Sequence, residues 1–140
     1  MKFPKNTILH LSNLQLKTFI EQDVLDYCLL NNLISEEILI LFLTSNSLTD
    51  ISGIRLFKNL ERLDLQYNQI KDISALKDLI KLEILDIKGL GLKSDQIEYI
   101  KPLKNLKQLY CREGFKDMSV LNQLNNTNLG IYKRLGIYIK

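Results

Sequence analysis

Short runs in which every second residue is apolar alternate along this chain with stretches in which apolar residues return every third position, and the two patterns recur together. Leu60, Leu63, Leu65, Asn68, Ile70, Ile73, Leu76 and Leu79 match Ile38, Leu41, Leu43, Asn46, Leu48, Ile51, Ile54 and Phe57, 22 residues earlier. The pattern returns as Leu82, Leu85, Ile87, Leu90, Leu92, Ile97, Ile100 and Leu103, and opens again at Leu106, Leu109, Cys111 and Gly114. A fixed period of this size predicts a stacked repeat with one strand and one return segment per turn. Within each strand alternate residues, such as Leu63 and Leu65, point into the core and the residues between them point out.

Upstream, Leu9, Leu11, Leu14 and Leu16 reproduce the spacing of Leu85, Ile87, Leu90 and Leu92, so a divergent first repeat begins near Ile8. Its return is longer. Thr18 and Glu21 stand at capping-box spacing, and Ile20, Val24, Leu25, Cys28 and Leu29 then recur at helical spacing, which predicts one amphipathic helix over 19–31. Glu21, Asp23 and Asp26 lie near its N-terminal end, where the helix dipole favours them. The helix reads as a cap that shields the first coil of an open-ended stack. The alternative makes it part of a docking surface.

The run from Leu60 to Leu79 reproduces L-x-x-L-x-L-x-x-N-x-L followed by I-x-x-L-x-x-L. It resembles the leucine-rich repeats of the 22-residue class, found in bacterial internalins and in a eukaryotic regulatory subunit of protein phosphatase 1. The resemblance covers about Leu9 to Leu124. It implies an α/β fold: a right-handed leucine-rich-repeat solenoid with a short parallel concave sheet, an N-terminal amphipathic helix and a divergent C-terminal strand or hairpin cap. It also implies that Asn68, and Asn46 likewise, turns inward and pairs main-chain groups at the corner after the strand.

The pattern departs from that family in the later coils. Leu90 stands in the Asn position between Gly89 and Gly91, so a reshaped corner and a broken hydrogen-bond ladder are expected, with the glycines supplying unusual dihedrals. The same repeat is two residues longer, and a helical turn is expected near Ser94. The fourth repeat has Gly114 in the Asn position and a looser return half. Past residues 125–128 the register is lost, and 129–133 and 135–139 read as a closing strand or hairpin. Residues 1–140 are therefore taken as one domain: a first repeat with its helix over 8–37, regular repeats over 38–59, 60–81 and 82–105, a degenerate repeat over 106–128 and a cap over 129–140.

Composition excludes several function classes. With 46% hydrophobic and 25% charged residues the chain is ordinary for a soluble globular protein. The first residues lack the apolar segment and cleavage site of a signal peptide, and the longest apolar run, Ile38 to Leu43, is too short for a membrane span. Cys28 and Cys111 fit neither a zinc pattern nor a disulfide framework; Cys111 occupies a core position, and reduced thiols suit a cytoplasmic location. Residues 1–70 carry six basic and eight acidic groups and residues 71–140 carry 13 and eight, which would steer an acidic partner to the C-terminal half. The basic residues are too scattered for nucleic acid.

If the strands are in register, their outward residues form three columns on the concave face. The central column is His10, Phe42, Asp64, Asp86 and Tyr110, flanked by Ile8, Ile40, Arg62, Ile84 and Gln108 on one side and Ser12, Thr44, Gln66, Lys88 and Arg112 on the other. From these, Phe42, Arg62, Asp64, Asp86, Lys88, Tyr110 and Arg112 are the candidate partner-binding residues, with the two aromatics as anchors. Asp64 and Asp86 read either as an exposed, solvated pair compensated by Arg62 and Lys88 or as a site for a basic or hydrogen-bonding patch. No nucleophile, second histidine or phosphate-cradling loop accompanies them, so no enzyme, cofactor or metal site is expected. His10 reads as an ordinary concave residue. The expected function is a non-catalytic protein-interaction module gripping one protein partner through the concave face. By analogy it points to an immunity-type inhibitor or a regulatory adaptor. The alternative is a structural, self-associating protein, a homodimer paired through its C-terminal edge strand.

Overall fold

A computed structural model describes residues 7–133. Six three-residue strands, β1 (Ile8–His10), β2 (Ile40–Phe42), β3 (Arg62–Asp64), β4 (Ile84–Asp86), β5 (Gln108–Tyr110) and β6 (Gly130–Tyr132), form one parallel sheet in chain order. The central residues Leu9, Leu41, Leu63, Leu85, Leu109 and Ile131 are direct register partners. They turn inward, and Leu41, Leu63, Leu85 and Leu109 are fully buried. Each strand is paired to the next coil by strand order alone, which is the leucine-rich-repeat solenoid anticipated from the period.

The return segments are one α-helix, α1 (Glu21–Leu30), and a 3-10 turn in each coil, at Ser35–Glu37, Ser52–Leu56, Ser74–Asp78, Ser94–Tyr99 and Met118–Gln123. Three of these turns share an entry device. The carboxylates of Asp50, Asp72 and Asp117 accept from the N–H of Ser52, Ser74 and Ser119 at 2.8, 2.8 and 3.0 Å. Such Asx turns satisfy a main-chain donor where the chain bends. The recurring Asp-Ile-Ser and Asp-Met-Ser triplets carry this signal in the sequence, beside the more conspicuous leucines.

Helix α1 departs from expectation at its start and on its outer face. Ile20, not Thr18, is the N-cap; Asp23 Oδ2 accepts from Ile20 N–H at 3.1 Å and from Thr18 Oγ1 at 3.0 Å. Glu21 instead pairs with Arg55 across the coil. Of the apolar stripe, Val24 and Cys28 are buried, whereas Leu25 and Leu29 point away from the core. Two residues seat the entry: Phe19 stacks on Phe57 at 6.0 Å, and Gly53 N donates to Phe19 O at 2.7 Å. A Cβ at Gly53 would lie 2.5 Å from Ile20 O, so only glycine permits this approach.

At the corners, Asn46 and Asn68 are buried and behave as the resemblance implies. Asn46 accepts from Leu14 and Leu16 N–H and donates to Leu11 O and Leu43 O; Asn68 accepts from Leu48 N–H and donates to Leu43 O and Leu65 O. The asparagine ladder ends at Leu90, as expected. Beyond it main-chain groups carry the ladder, with Gly91 N bonded to Glu113 O at 3.0 Å, Leu92 N to Gly114 O at 2.8 Å and Lys116 N to Leu92 O at 2.9 Å. The positive φ of Gly89 is shared by Asn13, Ser45, Tyr67 and Glu113 in the other coils, whereas Gly91 supplies a positive φ that its equivalents Ser47 and Gln69 lack.

The C-terminal expectation also changes. Phe115, paired with Leu92 through a parallel bridge, is a core residue of the fourth coil. Register is regained rather than lost after 125–128, since Ile131 pairs with Leu109 at the 22-residue spacing of the regular coils. Residues 130–132 therefore extend the parallel sheet. The alternating run at 135–139, and with it the hairpin reading, lies outside the described residues.

Candidate concave interface

The strand register places His10, Phe42, Asp64, Asp86, Tyr110 and Tyr132 side by side in one row across the sheet. Adjacent parallel strands are roughly 4.8 Å apart, so flat side chains in such a row stack on one another. His10 lies on Phe42 with ring centroids 4.8 Å apart, and Tyr110 on Tyr132 at 4.6 Å.

Between the aromatic pairs stand the two carboxylates, each closed by a cation of its own coil. Arg62 grips Asp64 with two parallel bonds, Nε to Oδ1 and Nη2 to Oδ2, both 3.2 Å. Its guanidinium also lies 5.2 Å from the Phe42 ring centre, a cation–π contact. Lys88 Nζ lies 3.4 Å from Asp86 Oδ2 and 5.7 Å from the Tyr110 ring centre, while Lys88 N donates to Asp86 Oδ1 at 3.0 Å. The row thus runs aromatic pair, cation, two acids, cation, aromatic pair.

The carboxylates are not the exposed, solvated pair that strand alternation alone suggests. Asp64 is 4% exposed and Asp86 5%. Both are short side chains, and the longer Arg62 and Lys88 close over them, each cation lying against an aromatic ring. Burial pushes the Asp86 carboxyl above its usual value, with the Asp64 charge adding to the rise and the Lys88 N–H and ammonium opposing it. The Asp64 hydrogen bond raises Arg62 further.

Of the seven candidate residues, Phe42, Arg62, Asp64, Asp86, Lys88 and Tyr110 come together in this row. Arg112 stands apart, donating from Nη2 to Tyr67 Oη at 3.2 Å. Tyr132 joins the row although the sequence reading ended its register too early; its 22-residue distance from Tyr110 was the available signal. The face is open. Its acids are already paired with cations, and among the described residues no group of three histidines, cysteines or acids converges on a point. Nor, among those residues, is any helix long and apolar enough to cross a membrane. An open, internally neutralised surface is suited to contact with another surface.

Comparison with known proteins adds to this geometry. The description "Leucine Rich repeats (2 copies)" matches residues 58–95, the two coils that carry Arg62, Asp64, Asp86 and Lys88. Leucine-rich repeat-containing protein 56 of Mus musculus is 37% identical over 71 residues, 50% of this chain and 13% of that protein. The protein of the same name from Rattus norvegicus gives the same figures. The chain thus spans only a small part of the curated relatives it matches. Parallel strands stacked one per coil, with Asn68 buried at the corner of the first of the two matched coils, identify the fold as a leucine-rich-repeat solenoid.

Proposed function

We propose that this protein binds one protein partner through the central row of its concave sheet. Leucine-rich repeats suggest a protein-interaction module, and such scaffolds are generally non-catalytic. The observation that carries the assignment to this face is the pair of stacked aromatic couples, His10 with Phe42 and Tyr110 with Tyr132, held on a rigid sheet by cations whose acids are buried. Aromatic rings presented in fixed orientation supply contact area at little entropic cost.

The chemistry of the partner follows from the burial of the acids. Asp64 and Asp86 are spoken for by Arg62 and Lys88, so they offer little to a basic ligand. Arg112 and the excess of cations in the second half of the chain favour a partner patch that is apolar with acidic or hydrogen-bonding groups. The reading favours a cytoplasmic setting, in which Cys28 and Cys111 stay as the free thiols they are here.

Within this reading, an immunity-type inhibitor or a regulatory adaptor is the finer assignment, and an immunity role requires a single tight partner whose activity is lethal when this chain is deleted. The test is capture of partners from native lysate by wild type and by a Phe42→Ala, Tyr110→Ala double variant. One protein retained by wild type and lost by the variant supports the concave face. Equal recovery by both defeats it. Pairing through the C-terminal edge is the alternative, favoured by the position of β6 at the end of the strand order among the described residues. A mass that stays monomeric across concentration removes it.

A further inference from the structure

We infer that the groove between the first coil and α1 is a second docking site, independent of the concave face, and that it receives an apolar, basic helical segment of another protein. Terminal repeats of a solenoid need a polar outer face to shield the stack. This one has the reverse. Leu14, Leu25, Leu29, Leu30 and Ile34 are between 53% and 83% exposed, whereas from residue 35 to residue 133 only Tyr67 and Ile80 are large, apolar and exposed. Among the described residues, exposed apolar surface is therefore concentrated at the N-terminal end, as expected of an interaction site and not of a cap.

The groove itself is formed by Leu14 and Leu16 of the first coil against Tyr27 and Leu30 of α1, with Asp23 and Asp26 on its helical wall. Its volume of about 520 Å³ lies within the roughly 300–1,000 Å³ of ligand-binding clefts. It is open along one side and runs beside a helix, the shape into which an amphipathic helix lays its apolar face.

Charge selects the occupant. The groove is lined by Asp23 and Asp26 against the single cation Lys17, and α1 holds no basic residue. A segment with leucine-like side chains toward the groove and lysine or arginine at its margins meets both features. An acidic segment is repelled.

The test uses the full chain and two synthetic amphipathic helical peptides about four turns long, one of leucine and lysine and one of leucine and glutamate, titrated by fluorescence anisotropy. The expected result is binding of the leucine–lysine peptide alone. Leu14→Asp and Leu30→Asp should each weaken it about tenfold or more, and Asp26→Lys should weaken it several-fold. Both leucines are exposed, so the fold should survive, as circular dichroism would check. Phe42→Ala with Tyr110→Ala should leave it unchanged, which separates this site from the concave face. No binding of the leucine–lysine peptide overturns the inference, as does binding indifferent to Leu14→Asp and Leu30→Asp. A concentration-dependent dimer of the wild type that Leu30→Asp abolishes also overturns it, by making a second copy the occupant.

Discussion

Asp64 and Asp86 are direct neighbours on adjacent parallel strands, and both are almost wholly buried, one closed by a bidentate Arg62 and the other by the ammonium and the backbone N–H of Lys88. The two pairs are not equivalent. Burial raises the Asp86 carboxyl above its usual value, so the folded state holds its proton more tightly than the unfolded chain does. Ionised Asp86 therefore costs stability above its folded value, and that cost fades as pH falls through this value toward the ordinary one of 3.8. Asp86→Asn keeps an acceptor for Lys88 N–H and removes the buried charge. It is expected to raise stability at pH 7, with the gain shrinking on acidification. Urea unfolding at pH 7 and pH 4 checks this.

Asp50 has the opposite sign. Hydrogen bonds from Ser52, its backbone N–H first and its side chain second, hold the carboxyl below the usual range. The stabilisation is present above the unfolded value and is lost as pH falls through the lower folded value. Asp50→Ala should lower the unfolding midpoint near neutral pH, and the difference from wild type should vanish in strong acid. A difference that persists at low pH would assign the effect to packing instead.

Asn68 ties two coils together through one buried carboxamide. Replacing it with alanine removes the acceptor for Leu48 N–H and the donor to Leu43 O and Leu65 O. Leu48 N–H and Leu65 O lose their partner while Leu43 O keeps the bond from Asn46, and the expected cost is about 2 kcal/mol. Asn68→Asp should be worse at neutral pH, because it turns the donor facing two carbonyls into an acceptor. Equilibrium denaturation of both variants measures the order.

Cys111 is fully buried, and burial pushes its thiol up to about 12. Only the thiolate reacts with a maleimide. At pH 8 the native protein should leave Cys111 unlabelled, Cys28 should react slowly, its thiol being raised by burial and by Glu36, and both should label in denaturant. Peptide mass spectrometry after a timed exposure distinguishes the two sites. Rapid native labelling of Cys111 would place it outside the core.

Much of this architecture was readable because it is local and periodic. The 22-residue spacing fixes which leucines face inward, and it also fixed the concave columns, which the strand register reproduces from Ile8 to Tyr110. The inward asparagines were readable for the same reason. The Asx turns were written in the sequence as well, at Asp50, Asp72 and Asp117, but polar triplets are inconspicuous beside a leucine pattern.

What the sequence determined by itself is the order of the coils and the face on which each side chain stands, since both follow from a period of two within a strand and from the return of the same leucine pattern in each coil, 22 residues on in the regular ones. Burial of Asp64 and Asp86 was decided in the tertiary structure, because it depends on Arg62 and Lys88 lying over them and against the Phe42 and Tyr110 rings, and the direction of a long side chain is set by its neighbours and not by its spacing. Tertiary packing likewise decided that main chain replaces the asparagine ladder beyond Leu90 and that Leu25, Leu29 and Leu30 face outward. Helical spacing brings apolar residues onto one side of α1, but the coil beside it has room to bury only Val24 and Cys28.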